Sequence, residues 1–238
     1  MKQFSLIQFL TIGVLTGVVS FSTSAQAGAT SKADADSGPS KLVYADFQNA
    51  VDGRPVSKNG GQTRLNRYAA NMGAAPRMRG LENADPPMPA LARVNDADVA
   101  AAFEYELLVP NEWAGVNVEV FGHPEKDGKL VADDVSAYKF ISMRIFAKGP
   151  RSIRVELITR GQGHNLESGY PNASIRLSPG FNTYKFKLDS FNQPQWAKPL
   201  DLKRDVLKKL TSLTIGVFCE QCKLESGTVV LDNIVFEK

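Results

Sequence analysis

The chain has 238 residues, a formal net charge of +3 and 43% hydrophobic residues, and its charges of both signs are interspersed. A nucleic-acid-binding protein would carry a stronger basic stripe, so the sequence argues against that class. The amount of apolar sequence suffices to build one large buried core.

The first 27 residues have the three parts of a secretory signal peptide. Lys2 gives the positive start, residues 6–21 form an apolar run, and Ala25-Gln26-Ala27 is a small-x-small cleavage site. The alternative is an uncleaved anchor helix, against which polar residues within the run argue. No later apolar run approaches the ~20 residues of a spanning helix. The sequence therefore predicts cleavage after Ala27, a periplasmic or secreted location and no membrane insertion.

Residues 28–40 are small, polar and without periodicity, which is typical of a flexible linker. Residues 41–238 remain for one folded domain, a size that suits a single large β domain. The predicted organisation is thus a signal peptide (1–27), a linker (28–40) and one β-sandwich domain (41–238).

Within that domain, apolar and polar residues alternate with period two in one segment after another, separated by turn signals such as Asp127-Gly128. Tyr105 and Tyr184 share the parity of apolar neighbours, which predicts core positions for both, and Trp113 is also assigned to the core. Strands with turns between them indicate a sandwich or barrel. The predicted strands cover residues 42–47, 103–109, 116–120, 141–145, 153–157, 184–188, 213–217 and 229–236.

Two segments depart from this alternation. Asp201 followed by apolar residues at helical spacing predicts one short connecting helix over residues 202–210. Residues 53–93 are rich in Gly, Pro, Asn, Arg and Met, with a strand predicted near residues 63–68. A run this long is either a functional segment or a wandering surface segment, and both readings stay open.

Cys219 and Cys222 are the only cysteines, and in an oxidising compartment we expect them to pair in a disulfide across a tight turn. A redox-active C-x-x-C would need a strand-to-helix setting, whereas β-type segments flank this one. A zinc site would need a second pair of ligands.

The ordered succession of these segments resembles a known family. It includes "VYADF" (43–47), "EWAGVNVEV" (112–120), "FNTYKFKLDSFNQPQW" (181–196) and "GTVVLDNIVFEK" (227–238). Together they resemble the galactose-binding-like jelly rolls, closest to family 11 carbohydrate-binding modules and the related complex-I intermediate-associated domains. The resemblance implies an all-β, two-sheet antiparallel β-sandwich (jelly roll) that binds a glycan on its concave face without cleaving it.

The resemblance also implies a structural calcium. Asp46 in the first strand and Asp232 in the last occupy positions similar to those used in such modules. Calcium takes six to eight oxygen ligands, so main-chain carbonyls would have to complete the set. The alternative for Asp232 is a strand residue that is hydrogen-bonded to a loop.

Sugar binding needs flat apolar rings and planar polar groups, and several side chains supply them. Trp196 lies in a polar loop and Tyr170 in a Gly-rich one, where core aromatics are less expected. Four charged residues lie opposite the apolar positions of neighbouring strands. They form a polar floor if those strands share the concave sheet, and face solvent otherwise. The predicted ligand-binding residues are Arg144, Arg154, Glu156, Arg160, Tyr170 and Trp196.

Two other functions remain as alternatives. Arg160, His164 and Tyr170 share one loop region and could serve a polysaccharide lyase, although hydrolase, zinc-protease and phosphate-loop motifs are absent from the sequence. The second alternative is a periplasmic assembly module that has lost sugar binding. A separately exported binding module would also be expected to work beside a partner enzyme or an envelope protein.

Overall fold

The structure, a computed structural model, describes residues 39–51, 54–56, 64–70, 90–95, 98–119, 132–161, 165–219 and 224–238. The predicted signal peptide and most of the predicted linker lie outside these residues, as do His123 and His164. Within the described ranges, no helix has the length and apolar character that crossing a membrane requires.

The described residues form thirteen strands and one α-helix, α1 (Leu202–Asp205). The strands are β1 (Lys41–Ala45), β2 (Asn49–Val51), β3 (Arg54–Val56), β4 (Arg64–Ala69), β5 (Ala90–Asn95), β6 (Asp98–Leu107), β7 (Glu112–Glu119), β8 (Phe140–Lys148), β9 (Ser152–Ile158), β10 (Asn172–Arg176), β11 (Asn182–Lys187), β12 (Ser212–Cys219) and β13 (Glu225–Glu237).

These strands pair antiparallel in two main sheets. One sheet has six strands in the order β11-β8-β13-β6-β5, with β1 also pairing with β13. The other has five strands in the order β10-β9-β12-β7-β4, and β2 and β3 form a separate hairpin. Apolar side chains from both main sheets join in one buried core. The predicted all-β, two-sheet antiparallel β-sandwich with one short helix is therefore confirmed.

Alternation along the strands of the five-stranded sheet separates a core face from a second face. On β9, Ile153, Val155 and Leu157 are buried in the core, and Arg154 and Glu156 lie between them in sequence. Since successive side chains of a strand point to opposite faces, Arg154 and Glu156 lie on the face directed away from the core. We call this second face of the five-stranded sheet the outer face. Other members of it are Tyr68, Trp113 and Phe218, which have the opposite parity to their strands' core residues.

The helix begins as predicted but ends early. The Asp201 carboxylate accepts a hydrogen bond from the main-chain N–H of Arg204 at 2.9 Å, as an N-cap residue does. Val206 has φ −126°, outside the helical range, so the helix does not continue to residue 210. A 3₁₀ turn, Leu207–Lys209, replaces its second half.

Candidate functional site

A pocket of about 580 Å³ lies on the outer face of the five-stranded sheet. Its floor comes from the strands: Tyr68 on β4, Trp113 on β7, Phe218 on β12, and Arg154 with Glu156 on β9. Its wall comes from two loops that carry Tyr170, Pro194 and Trp196. Asn172 on β10 and Asn111 in the loop before β7 also line it, so residues from five strands and three loops converge on one cavity.

Two glycines make room for the aromatic part of the floor. Gly115 on β7 is the register partner of Gly216 on β12. On the neighbouring strands, Tyr68 pairs with Gly115 and Arg154 pairs with Gly216, so these four residues form one row across the sheet. A Cβ at Gly115 would collide with the main-chain oxygen of Ile215, and one at Gly216 would lie 3.0 Å from the main-chain oxygen of Ala114. A larger residue at Gly115 would therefore push the two strands apart, and one at Gly216 would require a smaller shift.

Three aromatic rings pack together on this floor. Trp113 and Phe218 are register partners whose rings stack with centroids 6.2 Å apart and an interplanar angle of 19°. Tyr68 contacts both of them, at 6.3 Å and 6.4 Å. The guanidinium carbon of Arg154 lies 3.8 Å from the centroid of Phe218, which is cation–π geometry.

The wall is held in place by one side chain, Gln193. Its amide oxygen accepts a hydrogen bond from the main-chain N–H of Tyr170 at 3.0 Å. Its amide nitrogen donates to the carbonyl oxygens of Ser168 and Lys198, each at 3.0 Å. Gln193 thereby links the loop of Tyr170 to the loop of Trp196, whose rings lie 5.4 Å apart. Trp196 remains 74% exposed, so its ring is available to a ligand.

The pocket contains buried polar atoms whose hydrogen-bonding capacity is unused. Trp113 Nε1, Arg154 Nε and Glu156 Oε2 are all buried, and none of the described residues supplies a hydrogen-bond partner for them. Buried polar groups are almost always paired in folded proteins. Two donors and one acceptor on the floor of a single pocket make it a candidate site for a polar ligand.

Burial also changes the acid–base behaviour of the pocket. Glu156 is only 3% exposed, and burial raises its pKa from 4.5 to about 7, although Arg154 and a hydrogen bond from Tyr68 act in the opposite direction. Burial and the nearby Glu156 carboxylate raise the pKa of the Tyr68 hydroxyl well above its usual range. Tyr68 therefore stays protonated and donates its hydrogen bond to Glu156.

The pocket brings together four of the six predicted ligand-binding residues, namely Arg154, Glu156, Tyr170 and Trp196. The grouping of Arg144 with them is wrong, because β8 belongs to the six-stranded sheet. There Arg144 forms an ion pair with Asp232, with an N–O distance of 3.5 Å. Arg160 follows the end of β9, where its main-chain N–H bonds to Thr211 Oγ1, and it does not line the pocket.

Three floor residues were not predicted. Trp113 was assigned to the core, but it is half-buried and lines the pocket. Its parity is opposite to that of the buried Val116 and Val118, and this signal was available in the sequence. The same signal marks Phe218, whereas Tyr68 lies in the segment where alternation was weakest. Tyr105 and Tyr184 are buried as predicted.

The two aspartates predicted to bind calcium are both fully buried. Ala45, next to Asp46, pairs with Ile234, two residues beyond Asp232, so both carboxylates belong to the same end of the β1–β13 pair. Asp232 Oδ2 accepts a hydrogen bond from Asn233 Nδ2 at 2.6 Å. Among the described residues, no group of three or more His, Cys, Asp or Glu could hold a metal ion. Two carboxylates would fit calcium only with several main-chain oxygens, so the calcium site stays a prediction.

The predicted disulfide lies at the edge of the described residues. Cys219 is buried at the end of β12, two residues beyond the predicted strand 213–217. Cys222 lies outside the described residues, and the pairing of the two cysteines stays a prediction.

Comparison with known proteins identifies the fold. No protein-family model and no curated protein sequence matches the chain. It is similar to the solved structure of the family 11 carbohydrate-binding module of the cellulosomal cellulase Lic26A-Cel5E of Clostridium thermocellum, with a TM-score of 0.54 and 16% identity over 84% of this chain and 96% of that chain. A second structure of a family 11 module from Clostridium thermocellum, in complex with a beta-1,3-1,4-mixed-linked tetrasaccharide, has the same score and identity and is 97% covered.

These similarities confirm the predicted resemblance to family 11 carbohydrate-binding modules at the level of the fold, a β-sandwich jelly roll. The predicted resemblance to complex-I intermediate-associated domains stays a prediction.

The raised pKa of Glu156 makes stability depend on pH. Between its unfolded value of 4.5 and its folded value of about 7, the unfolded chain has lost a proton that the folded chain keeps. The free energy of unfolding should therefore fall across this range, by at most about 3 kcal/mol from this group, and then level off. Glu156→Gln should remove that part of the fall. Urea unfolding of both proteins at several pH values tests this, and an identical pH dependence in the two would contradict it.

Proposed function

We propose that this protein binds a glycan in the outer-face pocket without cleaving it. The observation that carries the proposal is the exposed ring of Trp196, held beside Tyr170 and above a floor of aromatic and planar polar side chains. The C–H face of a sugar ring packs against flat aromatic surfaces, and its hydroxyls hydrogen-bond to planar polar groups. The pocket offers both kinds of group within one cavity.

The similarity of the fold to known structures also supports this proposal. Both family 11 modules to which the chain is similar are carbohydrate-binding modules, and one was solved with a bound tetrasaccharide. The assembly-module alternative predicts a closed groove with buried aromatics. An indole ring that is 74% exposed at the mouth of the pocket favours glycan binding instead.

One observation favours an enzyme as the second candidate. A carboxyl group with a pKa of about 7 inside a pocket is what general acid–base catalysis at neutral pH uses, and Glu156 has this property. The lyase trio considered from the sequence receives less support, because Arg160 does not line the pocket that Tyr170 lines, and His164 lies outside the described residues. An enzyme on this scaffold would depend on Glu156.

We further propose that the protein is exported by its signal peptide and acts in the periplasm or outside the cell, beside a partner enzyme or an envelope protein. The polysaccharides that such a pocket would bind are found there, and the environment allows Cys219 and Cys222 to pair. N-terminal sequencing of protein recovered from the cell envelope or medium should begin at Gly28. A sequence that still begins at Met1 would contradict export by cleavage.

Calcium at Asp46 and Asp232 is a proposal with its own test. If an ion holds these two buried carboxylates together, chelation should lower the melting temperature, since a ligand that binds only the folded state stabilises it. Added Ca²⁺ should restore the temperature, and Asp46→Asn should abolish the response. Differential scanning calorimetry with and without chelator measures it. Equal melting temperatures would contradict a calcium site.

Trp196→Ala should weaken glycan binding at least about tenfold, because an exposed aromatic platform contributes most of the stacking energy to a ring ligand. The fold should be unaffected, with a stability change within about 0.5 kcal/mol, as is usual for exposed positions. The matched control is Leu224→Ala, which removes an apolar side chain that is 64% exposed and does not line the pocket.

The measurement is a glycan array followed by calorimetric titration of the best ligand with all three proteins. Equal affinity in the Trp196 and Leu224 variants would contradict the proposed site. The same ligand is then incubated with the protein and assayed for new reducing ends and unsaturated products. If the protein releases such products and Glu156→Gln does not, the protein is an enzyme and the proposal of binding without cleavage is wrong.

A further inference from the structure

We infer that the pocket takes an acidic glycan, one that contains uronate residues, with the sugar carboxylate on the guanidinium of Arg154. This inference rests on the proposed function and specifies its ligand class. It starts from Arg154, a half-buried cation with which no carboxylate of the described residues forms an ion pair.

Comparison with Arg144 shows that Arg154 has a similar aromatic contact but forms no ion pair among the described residues. Arg144 lies over the ring of Phe181 at 4.6 Å and also forms an ion pair with the fully buried Asp232. Arg154 lies over the ring of Phe218 at 3.8 Å in the same manner. No carboxylate of the described residues forms an ion pair with Arg154, and its Nε–H has no acceptor among them. In the pocket, a ligand carboxylate would take the place that Asp232 takes at Arg144.

The geometry of the guanidinium suits this ligand group. Arginine presents its N–H donors in a planar fork that matches a carboxylate with two parallel hydrogen bonds. Contact with the Phe218 ring, 3.8 Å from the guanidinium carbon to the ring centroid, restricts the positions that the fork can take. Trp196 and Tyr170 line the same pocket as Arg154, so one pyranose ring could stack on an aromatic while its carboxylate reaches Arg154.

Glu156 does not block an anionic ligand under mildly acidic conditions. Glu156 lies on the outer face two residues after Arg154 on β9 and is 3% exposed. One of its carboxyl oxygens, Oε2, has no hydrogen-bond partner among the described residues. With a pKa raised to about 7 by burial, it is neutral below that pH and can donate a hydrogen bond to the ligand carboxylate.

The other charged or titratable groups around Glu156 do not prevent an anionic ligand from binding. Tyr68 on β4 stays protonated and donates to Glu156, and Tyr170 on the facing loop is a second hydroxyl. Glu112 on β7 is the other pocket carboxylate, and its Oε2 is already used by the main-chain N–H groups of Leu108 and Val109 at 2.7 Å and 3.1 Å. Arg154 on β9 supplies the one positive charge among the described pocket residues.

The test titrates the purified protein with three probes: an oligogalacturonate, a neutral mixed-linked β-glucan tetrasaccharide and a sulfated galactan oligosaccharide. The uronate should bind most tightly. Arg154→Gln should weaken uronate binding by about 10- to 100-fold, the usual effect of losing charge-assisted hydrogen bonds, and should weaken neutral binding by a smaller factor, because the glutamine amide can still donate a hydrogen bond to a hydroxyl. Arg151→Gln, which removes an exposed arginine just before β9, is the matched control and should change neither.

The pH dependence of uronate affinity provides a second measurement. Uronate affinity of the native protein should fall as the pH rises through about 7, and Glu156→Gln should flatten this dependence because the amide stays neutral and can still donate a hydrogen bond. Binding of the neutral or sulfated probe without the uronate would overturn the acidic-glycan inference and leave the proposed function standing. Uronate binding that Arg154→Gln does not weaken would overturn it as well. Absence of binding to all three probes and to the glycan array would overturn both.

Discussion

The period-two alternation of the five-stranded sheet is the constraint on which both the fold and the pocket depend. On β9, the residues that build the core and those that build the pocket are interleaved: Val155 packs inside, and Arg154 and Glu156 flank it outside. A slip of one residue would exchange the two sets, burying a guanidinium and a carboxyl group in the core. The burial of the core residues therefore fixes the positions of the pocket residues on this strand.

Part of the outer face of this sheet is unusual because it is buried without being apolar. Thr214 and Glu156 are register partners on it, with exposures of 1% and 3%. Burial on this face raises the pKa of Glu156, because it excludes the water that would stabilise the carboxylate. The same surroundings strengthen any hydrogen bond that a ligand makes to Arg154 or Glu156, since water competes less there.

The sequence predicted the sandwich because its strands are short, alternate cleanly and are separated by turn residues. It could not predict how the strands divide between the two sheets. Strands β8 and β9 follow each other in the chain, so Arg144 and Arg154 seemed to belong to one floor, yet the chain crosses from one sheet to the other between them. Alternation specifies which residues share a face of one strand, and long-range pairing decides which strands share a sheet.

Aromatic residues illustrate the same limit. Trp196 and Tyr170 were recognised because they stand in polar loops, where a core role is unexpected. Trp113 was misassigned because a tryptophan at the start of a strand is usually buried, although its parity with Val116 placed it on the other face. Tyr68 required a tertiary contact, since only the pairing of β4 with β7 brings it beside Trp113.

The most direct test of the account uses its two tryptophans. The chain contains only Trp113 and Trp196, and both line the outer-face pocket, one on the floor and one on the wall. Both indole N–H signals should be resolved in a ¹H–¹⁵N correlation spectrum of the labelled protein. On titration with the glycan that binds best, the account predicts that both signals shift along one common saturation curve, while the main-chain signal of Leu224 stays in place. Saturable glycan binding that moves neither indole signal would contradict it.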